Sequence, residues 1–226
     1  MRVIDLFSGL GGFSQAFLDR GHDVLRIDFD DKFREVPNTM VKDIMELEPS
    51  ELGSFAYDID IITSSPPCNC FSTLALSTFW ENGRPKDPRT IDAIALVKRS
   101  ITLIERLEPK FWVIENPTGM LRHVIGPPQV LTWWCAWYSN KDPIVHILNG
   151  KPKKPTHLWG LLPTIKWPKE PKDCIKAPRG SKTGIQSKNT TPEIRSLIPY
   201  NFSLALCKSI ESSKGGQISL CRRLSE

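Results

Sequence analysis

The sequence predicts an α/β fold, in which helices cover both faces of a doubly wound and mostly parallel sheet. The first observation is an alternation of short apolar runs with segments of helical periodicity along residues 1–125. The second is that a glycine cluster, an acidic cluster and a cysteine each stand directly after one of these runs. Because ligands of such sheets bind outside the carboxyl ends of the strands, these clusters are candidates for a functional site.

Three short apolar runs are predicted as the first strands, at residues 3–7, 23–27 and 59–63. The first is followed by a glycine turn and then by Phe13, Ala16 and Phe17 at helical spacing, which predicts strand, turn and helix. The second ends in an acidic cluster at residues 28–31, and the third ends in the sequence Ser-Ser-Pro-Pro-Cys. All three clusters are therefore expected at one edge of the sheet.

A long amphipathic helix is predicted for residues 91–107, whose apolar side chains recur at helical spacing. It leads into a buried strand at residues 111–114. Beyond residue 125 proline becomes frequent, and residues 144–148 are predicted as one more strand. A final helix is expected over residues 199–210, with proline in its first turn.

The composition limits the class of protein. With 226 residues, 40% of them hydrophobic and 24% charged, the chain has enough apolar material for one core. Its six cysteines lack the repeated close pairs of a zinc module, and the chain is longer than disulfide-stapled secreted domains. We therefore expect no metal, a stability that does not depend on disulfides, and a reducing setting. Neither a membrane-spanning run nor a signal segment is recognisable, so we expect a cytoplasmic protein.

The net charge of +5, from 30 basic and 25 acidic residues, permits a polyanionic partner without requiring one. The positive charge is concentrated in residues 150–190. Residues 150–195 are proline-rich and lack periodicity, so we expect a long loop region there, around the last strands. Such a segment is equally compatible with a solvated face and with a surface that contacts a polyanion. The basic residues of 150–190 are Lys151, Lys153, Lys154, Lys166, Lys169, Lys172, Lys176, Arg179, Lys182 and Lys188.

The glycine turn indicates a nucleotide-like cofactor. Gly9 and Gly11 let the backbone turn tightly and approach a ligand without interference from Cβ atoms, although such turns are often purely structural. Asp28 lies about twenty residues further on, the spacing at which a carboxylate accepts hydrogen bonds from both ribose hydroxyls. Phe29 beside it offers a flat face to adenine. The alternative is an exposed strand end with an aromatic side chain in the core.

Two candidates for chemistry follow the later strands. Prolines stiffen the loop that presents Cys68, and a cysteine thiolate is the natural nucleophile for an electron-poor ring carbon. The alternatives are a buried structural cysteine or, with Cys70, half of a metal site. Glu115 at the next strand end could be protonated in a crevice and act as a general acid. A solvated carboxylate is the alternative there.

The segments at residues 5–12, 66–68 and 115–117 resemble, in order and spacing, the DNA cytosine-5 methyltransferase family in its compact phage-type members. The resemblance covers residues 1–125. It implies a Rossmann-like methyltransferase fold, S-adenosylmethionine as cofactor and DNA as partner. It further implies that Cys68 adds to carbon 6 of a flipped-out cytosine, that Glu115 with Asn116 contacts the ring, and that carbon 5 then takes the methyl group.

The resemblance also implies a cofactor site residue by residue. Asp28 would bind the ribose, Phe29 would stack on adenine, and Asp43 with Ile44 would meet the adenine edge. The implied set is Phe7, Gly9, Leu10, Gly11, Gly12, Asp28, Phe29, Asp43, Ile44, Pro67 and Leu96. In the family, the final helix returns to pack beside the glycine turn.

The chain departs from the family on a later strand, where an arginine pair normally helps to hold the cytosine. The corresponding segment places His157 at one arginine position, while Lys153 or Lys154 could supply the charge. A loop histidine of no catalytic importance is equally compatible. There is little room for a separate target-recognition domain, which we expect to be reduced or absent. Lys151, Lys153 and Lys154 are then candidate DNA contacts.

These expectations divide the chain. Residues 1–125 would form the cofactor-binding and catalytic core, residues 126–211 the remaining strands, basic loops and closing helix, and residues 212–226 a polar tail prone to disorder. The expected function is cytosine-5 methylation of double-stranded DNA in a microbial or phage-infected cell, of the restriction-modification kind, without an obligate protein partner. The alternatives are methylation of transfer RNA, a catalytically silent DNA-binding relative, and a nicotinamide-dependent oxidoreductase.

Overall fold

A computed structural model describes residues 1–73, 76–175 and 190–213 of the chain. Its strands are β1 (Arg2–Leu6), β2 (Asp23–Asp28), β3 (Thr39–Val41), β4 (Ile61–Ser64), β5 (Trp80–Glu81), β6 (Arg84–Pro85), β7 (Phe111–Pro117), β8 (Val130–Trp133) and β9 (Pro155–Leu161). Seven of them form one sheet in the order β3-β2-β1-β4-β7-β9-β8, while β5 and β6 form a separate hairpin. The first five strands of that order are parallel, and β9 is antiparallel to both β7 and β8. The predicted mostly parallel sheet is confirmed.

The helices connect these strands on both sides of the sheet. They are α1 (Gln15–Asp19), α2 (Leu76–Phe79), α3 (Pro88–Leu107), α4 (Pro143–Ile147), α5 (Pro192–Ser196) and α6 (Tyr200–Ser213). Within the described part of the chain, none of them is long and apolar enough to cross a membrane.

Both faces of the sheet are covered, as a doubly wound fold requires. Successive residues of a strand point to opposite faces. Ile4 and Ile114 accordingly pack into one core cluster, with α3, and Val3 and Val113 pack into a second cluster, with α1 and α6. Strands that are buried on both faces read as continuous apolar runs, which explains why these strands were recognisable in the sequence.

The long helix α3 begins at Pro88 rather than at residue 91 because its N-terminus is capped. The Asp87 side chain accepts a hydrogen bond from the Arg89 N–H at 2.9 Å, and Pro88 occupies the first helical position. The helix ends at Leu107, after which Glu108 adopts a left-handed conformation with φ of 46°. The amphipathic helix predicted from periodicity is confirmed.

The final helix α6 packs beside α1 and the glycine turn. Ser203 Oγ donates to the Phe13 carbonyl at 2.6 Å and accepts from the Ala16 N–H at 3.2 Å. A Cβ atom at Gly12 would lie 2.9 Å from the Ile198 backbone nitrogen, so the segment that leads into α6 lies directly against the turn. The return of the last helix to the glycine turn is therefore present in this chain.

The strand predicted for residues 144–148 is wrong, because this segment is helix α4. Its β-branched residues favour a strand, but Asp142 and Pro143 begin a helix, and the Val145 N–H donates to the Asp142 carbonyl at 3.0 Å. Ile144 is buried in the second core cluster. A short helix start thus overrides the β propensity of the residues that follow.

The loop region expected over residues 150–195 is wrong in two places, because α5 begins at Pro192 and a strand lies near the start of the segment. Residues 155–161 form β9 and add an antiparallel strand beside β7. Residues 176–189 lie outside the described residues, and they contain four of the basic residues named above. Residues 214–226 of the predicted polar tail also lie outside them. Of that tail, residues 212 and 213 belong to α6.

Cys135 and Cys174 form a disulfide, with their Cα atoms 5.8 Å apart. A reducing setting, as expected from the sequence, predicts free thiols, whereas these two cysteines are bonded to each other. The two cysteines are 39 residues apart in sequence, so no motif indicated the pair. They meet because a bridge between Pro152 and Ile175 brings the segment after β9 back to the region of β8. Among the described cysteines, Cys68, Cys70 and Cys207 are free.

Candidate active site

The carboxyl ends of β1, β2, β4 and β7 meet at one edge of the sheet. The chain leaves β1 for β2 and β3 on one side, and returns to β4 and β7 on the other. In doubly wound sheets such a reversal of strand order opens a crevice at the carboxyl edge. The start of β9 joins this edge, because β9 runs antiparallel to β7 and pairs His157 with Asn116.

The glycine turn follows β1 directly. Phe7, Gly9 and Gly11 have positive φ angles of 57°, 50° and 79°, a conformation that glycine adopts without strain. The Gly9 N–H donates to Asp28 Oδ2 at 2.8 Å, and the Asp30 N–H donates to Asp28 Oδ1 at 3.0 Å. The carboxylate at the end of β2 therefore fixes the turn and stands at the crevice.

A buried arginine, Arg26, lies beneath the turn. Its guanidinium group donates to the Gly11 carbonyl at 3.3 Å, to Ser14 Oγ at 2.9 Å and to the Pro37 carbonyl at 3.0 Å. A Cβ atom at Gly11 would overlap this guanidinium group, so space as well as backbone conformation requires glycine there. Sequence reasoning missed Arg26, because one charged residue inside an apolar strand does not reveal its partners.

Asp5 extends this buried network from β1 to β4. Its carboxylate accepts hydrogen bonds from Ser14 Oγ and Thr63 Oγ1, both at 2.7 Å. Burial raises the pKa of Asp5 to about 6, although Ser14, Thr63 and Arg26 oppose the rise. The network joins β1, β2 and β4 under the glycine turn.

Cys68 is presented by the loop after β4. Its carbonyl accepts hydrogen bonds from the Phe71 N–H at 3.0 Å and from the Ser72 N–H at 3.1 Å. On the N-terminal side of Cys68 in the chain, the Pro66 carbonyl accepts a hydrogen bond from Asn116 Nδ2 at 3.0 Å. The half-buried Cys68 is thus held by a local turn and by a side chain from β7.

Glu115, at the end of β7, lies within electrostatic reach of Cys68. It is 4% exposed, and burial raises the pKa of its carboxyl group, opposed by Lys154 and by a hydrogen bond with Thr156. Burial also raises the pKa of the Cys68 thiol, which Lys154 lowers and Glu115 raises further. A carboxyl group whose burial favours the protonated form and a thiol nearby can support acid and nucleophilic catalysis.

The pairing of β7 with β9 sorts the polar side chains onto two faces of the sheet. Asn116 is paired with His157 and Glu115 with Leu158. Because side chains alternate along a strand, Glu115 shares its face with Thr156 and, one alternation earlier, with Lys154. Asn116 and His157 share the other face.

His157 is buried, and its surroundings favour the neutral ring. Burial lowers its pKa, and the charge of Arg122 lowers it further. The ring meets Trp159 edge-on, with 5.6 Å between centroids, and the buried Nδ1 atom has no hydrogen-bond partner. The positive charge that lowers the pKa of Glu115 is that of Lys154, rather than one on His157.

Buried polar atoms without a hydrogen-bond partner are concentrated at this edge. Buried polar groups in proteins normally have a partner, so such atoms match a site whose ligand supplies the missing hydrogen bonds. Within the described ranges, five of the seven side-chain atoms of this kind belong to residues at the ends of β1, β4 and β7 or near the start of β9: Ser8 Oγ, Ser65 Oγ, Glu115 Oε1, Asn116 Oδ1 and His157 Nδ1.

A family model described as C-5 cytosine-specific DNA methylase matches residues 1–130, more than half of the chain. The chain belongs to the C-5 cytosine-specific DNA methylase family. The matched region contains the glycine turn, the Cys68 loop and Glu115, and it ends before β9.

The relatives in this family are longer than the matched region. The type II methyltransferase M.DdeI of Desulfomicrobium norvegicum is 35% identical over 129 residues, which are 54% of this chain and 29% of that protein. The "Probable DNA (cytosine-5)-methyltransferase" of Frog virus 3 is 30% identical over 144 residues, 61% of this chain and 64% of that protein. The S. pombe Dnmt2 methyltransferase structure has a TM-score of 0.41 and 20% identity over 71% of this chain and 50% of that one. The chain thus spans less than two thirds of the length of each.

The glycine-turn edge of this methylase-family member fits an adenosyl cofactor. The Asp28 carboxylate faces the crevice beside Gly9 and suits a ribose, and Ser8 Oγ is buried without a partner. Phe29 is 67% exposed and Leu10 is 40% exposed, which leaves apolar surface for an adenine ring. The residues present are those that would hold S-adenosylmethionine.

The remaining implied cofactor residues differ in accessibility. Ile44 is 4% exposed and belongs to the first core cluster, so little of it is accessible to an adenine ring. Asp43 is exposed, and its Oδ1 accepts the Met45 N–H at 2.9 Å. Pro67 is half-buried in the Cys68 loop, and Leu96 is half-buried on α3 against the first cluster.

The three candidate DNA-contacting lysines have different surroundings. Lys151 is exposed. Lys153 forms an ion pair with Glu170. Lys154 is half-buried, and its Nζ donates to the Arg195 carbonyl at 3.3 Å. The three lysines are therefore close in sequence but lie in three different environments.

Proposed function

We propose that this chain transfers a methyl group from S-adenosylmethionine to carbon 5 of cytosine in double-stranded DNA. The observation that carries the proposal is that Cys68 and Glu115 lie at the carboxyl ends of the adjacent strands β4 and β7, where the charge of Glu115 acts on Cys68. Membership in the C-5 cytosine-specific DNA methylase family supports this reaction. Residues 1–125 would supply cofactor binding and catalysis, and residues 126–211 DNA contacts and closure.

Cys68 acts first, as a thiolate that adds to carbon 6 of a cytosine turned out of the duplex. The base must leave the stack because its reactive atoms are otherwise out of reach. The C6–S bond forms while the electron pair of the C5–C6 double bond moves into the ring toward N3. The fixed backbone on both sides of Cys68 keeps the sulfur in place for this attack.

Glu115 takes part as the acid. Burial raises the pKa of its carboxyl group and so favours the protonated form, which donates its proton to N3 as the ring accepts electrons. Its other oxygen can accept a hydrogen bond from the exocyclic amine, which matches the unpartnered Oε1 atom. Proton donation to N3 makes carbon 6 a better electrophile and carbon 5, in turn, a nucleophile.

The later steps restore the residues. S-adenosylmethionine, when bound, supplies an electrophilic methyl group. Carbon 5 takes this methyl group, a water molecule accepts the C5 proton, and the C6–S bond breaks. Cys68 leaves as a thiolate, and N3 returns its proton to Glu115. The net products are 5-methylcytosine, S-adenosylhomocysteine and one proton.

Asn116 and His157 have supporting roles in this proposal. Asn116 is a positioning residue, because its amide holds the Pro66 carbonyl and thereby the Cys68 loop. His157 presents a buried, unpartnered Nδ1 atom from the neighbouring strand, which suits one hydrogen bond to substrate.

Trapping with 5-fluorocytosine tests the proposal. A mixed-sequence duplex with every cytosine replaced by 5-fluorocytosine should form a covalent adduct, because fluorine at carbon 5 prevents the proton loss that releases the thiolate. We expect a denaturant-resistant complex on Cys68 with the wild-type protein and none with Cys68→Ala. Transfer RNA with every cytosine replaced by 5-fluorocytosine is tested in parallel. Adducts with transfer RNA alone would show that the substrate is RNA and not DNA.

A silent relative would give a different result. If S-adenosylmethionine raises the melting temperature of the wild-type protein but neither nucleic acid gives an adduct or 5-methylcytosine, the proposed reaction is overturned. Cys68→Ala should still show the rise in melting temperature, which controls for loss of the fold.

A further inference from the structure

Lys154 is fixed beside the two reactive groups by its backbone. Its carbonyl accepts the Trp134 N–H at 3.0 Å, and the next carbonyl, of Pro155, accepts the Thr118 N–H at 3.1 Å. Thr118 directly follows β7, the strand that carries Glu115 near its end. The main chain of Lys154 is therefore held between β8 and the carboxyl end of β7.

The direction of the Lys154 side chain follows from strand alternation. Thr156 lies in β9 and Lys154 directly precedes this strand, where the Trp134 N–H still bonds to the Lys154 carbonyl. Side chains two residues apart along an extended chain lie on one face of the sheet. The register pairs Glu115 with Leu158, which is two residues beyond Thr156, so Glu115 lies on this face as well. The ammonium group is half-buried, and its bond to the Arg195 carbonyl uses one of three protons.

Among the described residues, three neighbouring cations have other partners. Lys153 is paired with Glu170, Arg195 donates to the Thr190 carbonyl at 2.6 Å, and the charge of Arg122 acts on His157. The titratable groups that act on Cys68 are Lys154, Glu115 and Cys70, and the buried Tyr138 is the further group that senses Glu115.

We propose that Lys154 is the cation that stabilises the Cys68 thiolate, rather than a contact to a DNA phosphate. This inference rests on the proposed function and deepens it, because it assigns to Lys154 the charge that the family's arginine pair provides. Lys154 acts through Cys68 and is therefore a positioning residue. As Cys68 changes from thiol to thiolate its proton goes to solvent, and the nearby ammonium group favours the charged form.

Alkylation of Cys68 by iodoacetamide tests this role without requiring methyl transfer. The rate is followed over pH 6–10 on the peptide that contains Cys68, since iodoacetamide reacts with the thiolate. With Lys154→Met, which keeps the length of the side chain, we expect the rate at pH 8 to fall about tenfold, the effect of a thiol pKa higher by about one. Lys154→Arg should restore the rate to within about threefold.

Lys153→Met is the matched control, because it removes one positive charge from the adjacent position. Its alkylation profile should coincide with that of the wild type. If Lys154→Met also leaves the profile unchanged, the proposal is overturned. Lys154→Gln is a second neutral variant if the methionine variant fails to fold, as judged by thermal melting.

DNA binding separates this role from a phosphate contact. A phosphate contact at Lys154 predicts that Lys154→Met weakens duplex binding and reduces its salt dependence, with no change in the Cys68 profile. That outcome would overturn the proposal. If the alkylation profile shifts as expected but the wild-type protein methylates no nucleic acid, the coupling of Lys154 to Cys68 stands and the proposed function fails.

Discussion

The guanidinium group of Arg26 lies against the Cα atom of Gly11, in the space that a Cβ atom at this position would occupy. Gly11 also has a φ of 79°, so two independent constraints act on one residue of the cofactor turn. Arg26, which comes from the neighbouring strand β2, therefore restricts position 11 of the turn to glycine.

Gly11→Ala should therefore destabilise the fold more than a positive φ alone explains. We expect a loss of about 3 kcal/mol in the free energy of unfolding, from backbone strain and from overlap with Arg26. Gly21→Ala is the matched control, because Gly21 has a φ of 77° and no atom of the described residues lies within 4 Å of where its Cβ would stand. This control should lose about 1 kcal/mol. Urea unfolding measures both values, and equal losses would contradict the role given to Arg26.

Asp5 should make part of the stability depend on pH. Burial raises its pKa to about 6 in the folded protein, from 3.8. Because the folded pKa is the higher one, the contribution to stability is complete below pH 3.8 and is lost as pH rises through 6. Between pH 4 and pH 7 this loss amounts to about 2 kcal/mol.

The Asp5→Asn variant isolates this effect. It lacks the titration, so the difference in free energy of unfolding between wild type and variant should shift by about 2 kcal/mol against the wild type from pH 4 to pH 7. Comparing the two proteins at each pH cancels the carboxylates whose pKa values are lowered, such as Glu211. A difference that stays constant over this range would show that Asp5 titrates normally.

The sequence was sufficient to predict the parallel part of the sheet, because strands buried on both faces are continuous apolar runs. It also indicated which residues lie at the carboxyl edge, since Asp28 ends β2, Cys68 follows β4 and Glu115 lies near the end of β7. Their relative positions follow from chain order in a doubly wound sheet. What periodicity detects is therefore the scaffold and the local loops it presents.

Contacts that join distant segments could not be predicted in this way. Arg26 under the turn, the disulfide of Cys135 with Cys174, and the approach of Lys154 to Glu115 all depend on tertiary packing. In each case the partners come from different elements, and neither residue type nor spacing identifies the pair. The helix at residues 143–147 was missed for a different reason, because its capping sequence outweighs its β-branched residues.

The disulfide lies next to the segment that carries Lys154. Trp134, which precedes Cys135, donates to the Lys154 carbonyl at 3.0 Å. Ile175, which follows Cys174, donates to the Lys151 carbonyl at 2.9 Å and accepts from the Lys153 N–H at 2.8 Å. The cross-link therefore joins two segments that both hydrogen-bond to residues 151–154.

Breaking the disulfide should lower stability. The two cysteines are 39 residues apart, for which loss of the cross-link costs up to about 4 kcal/mol by its effect on the unfolded chain. We expect dithiothreitol to lower the melting temperature of the wild-type protein to that of Cys174→Ser, and to leave the variant unchanged. Peptide mapping without reductant should recover the peptides of Cys135 and Cys174 as one linked species. Two separate peptides would show that the pair is unbonded in solution.

Glu115→Gln should separate stability from activity. Glutamine keeps the shape of the side chain but cannot transfer a proton to N3, so we expect methyl transfer to fall by at least about 100-fold. The buried carboxyl group has one oxygen without a partner, and its replacement by a neutral amide should leave the free energy of unfolding equal to or above that of the wild type. Methyl transfer from labelled S-adenosylmethionine to duplex DNA and urea unfolding measure the two effects. A fall in stability with unchanged methyl transfer would make Glu115 a structural residue, whereas the opposite result places its proton in the reaction.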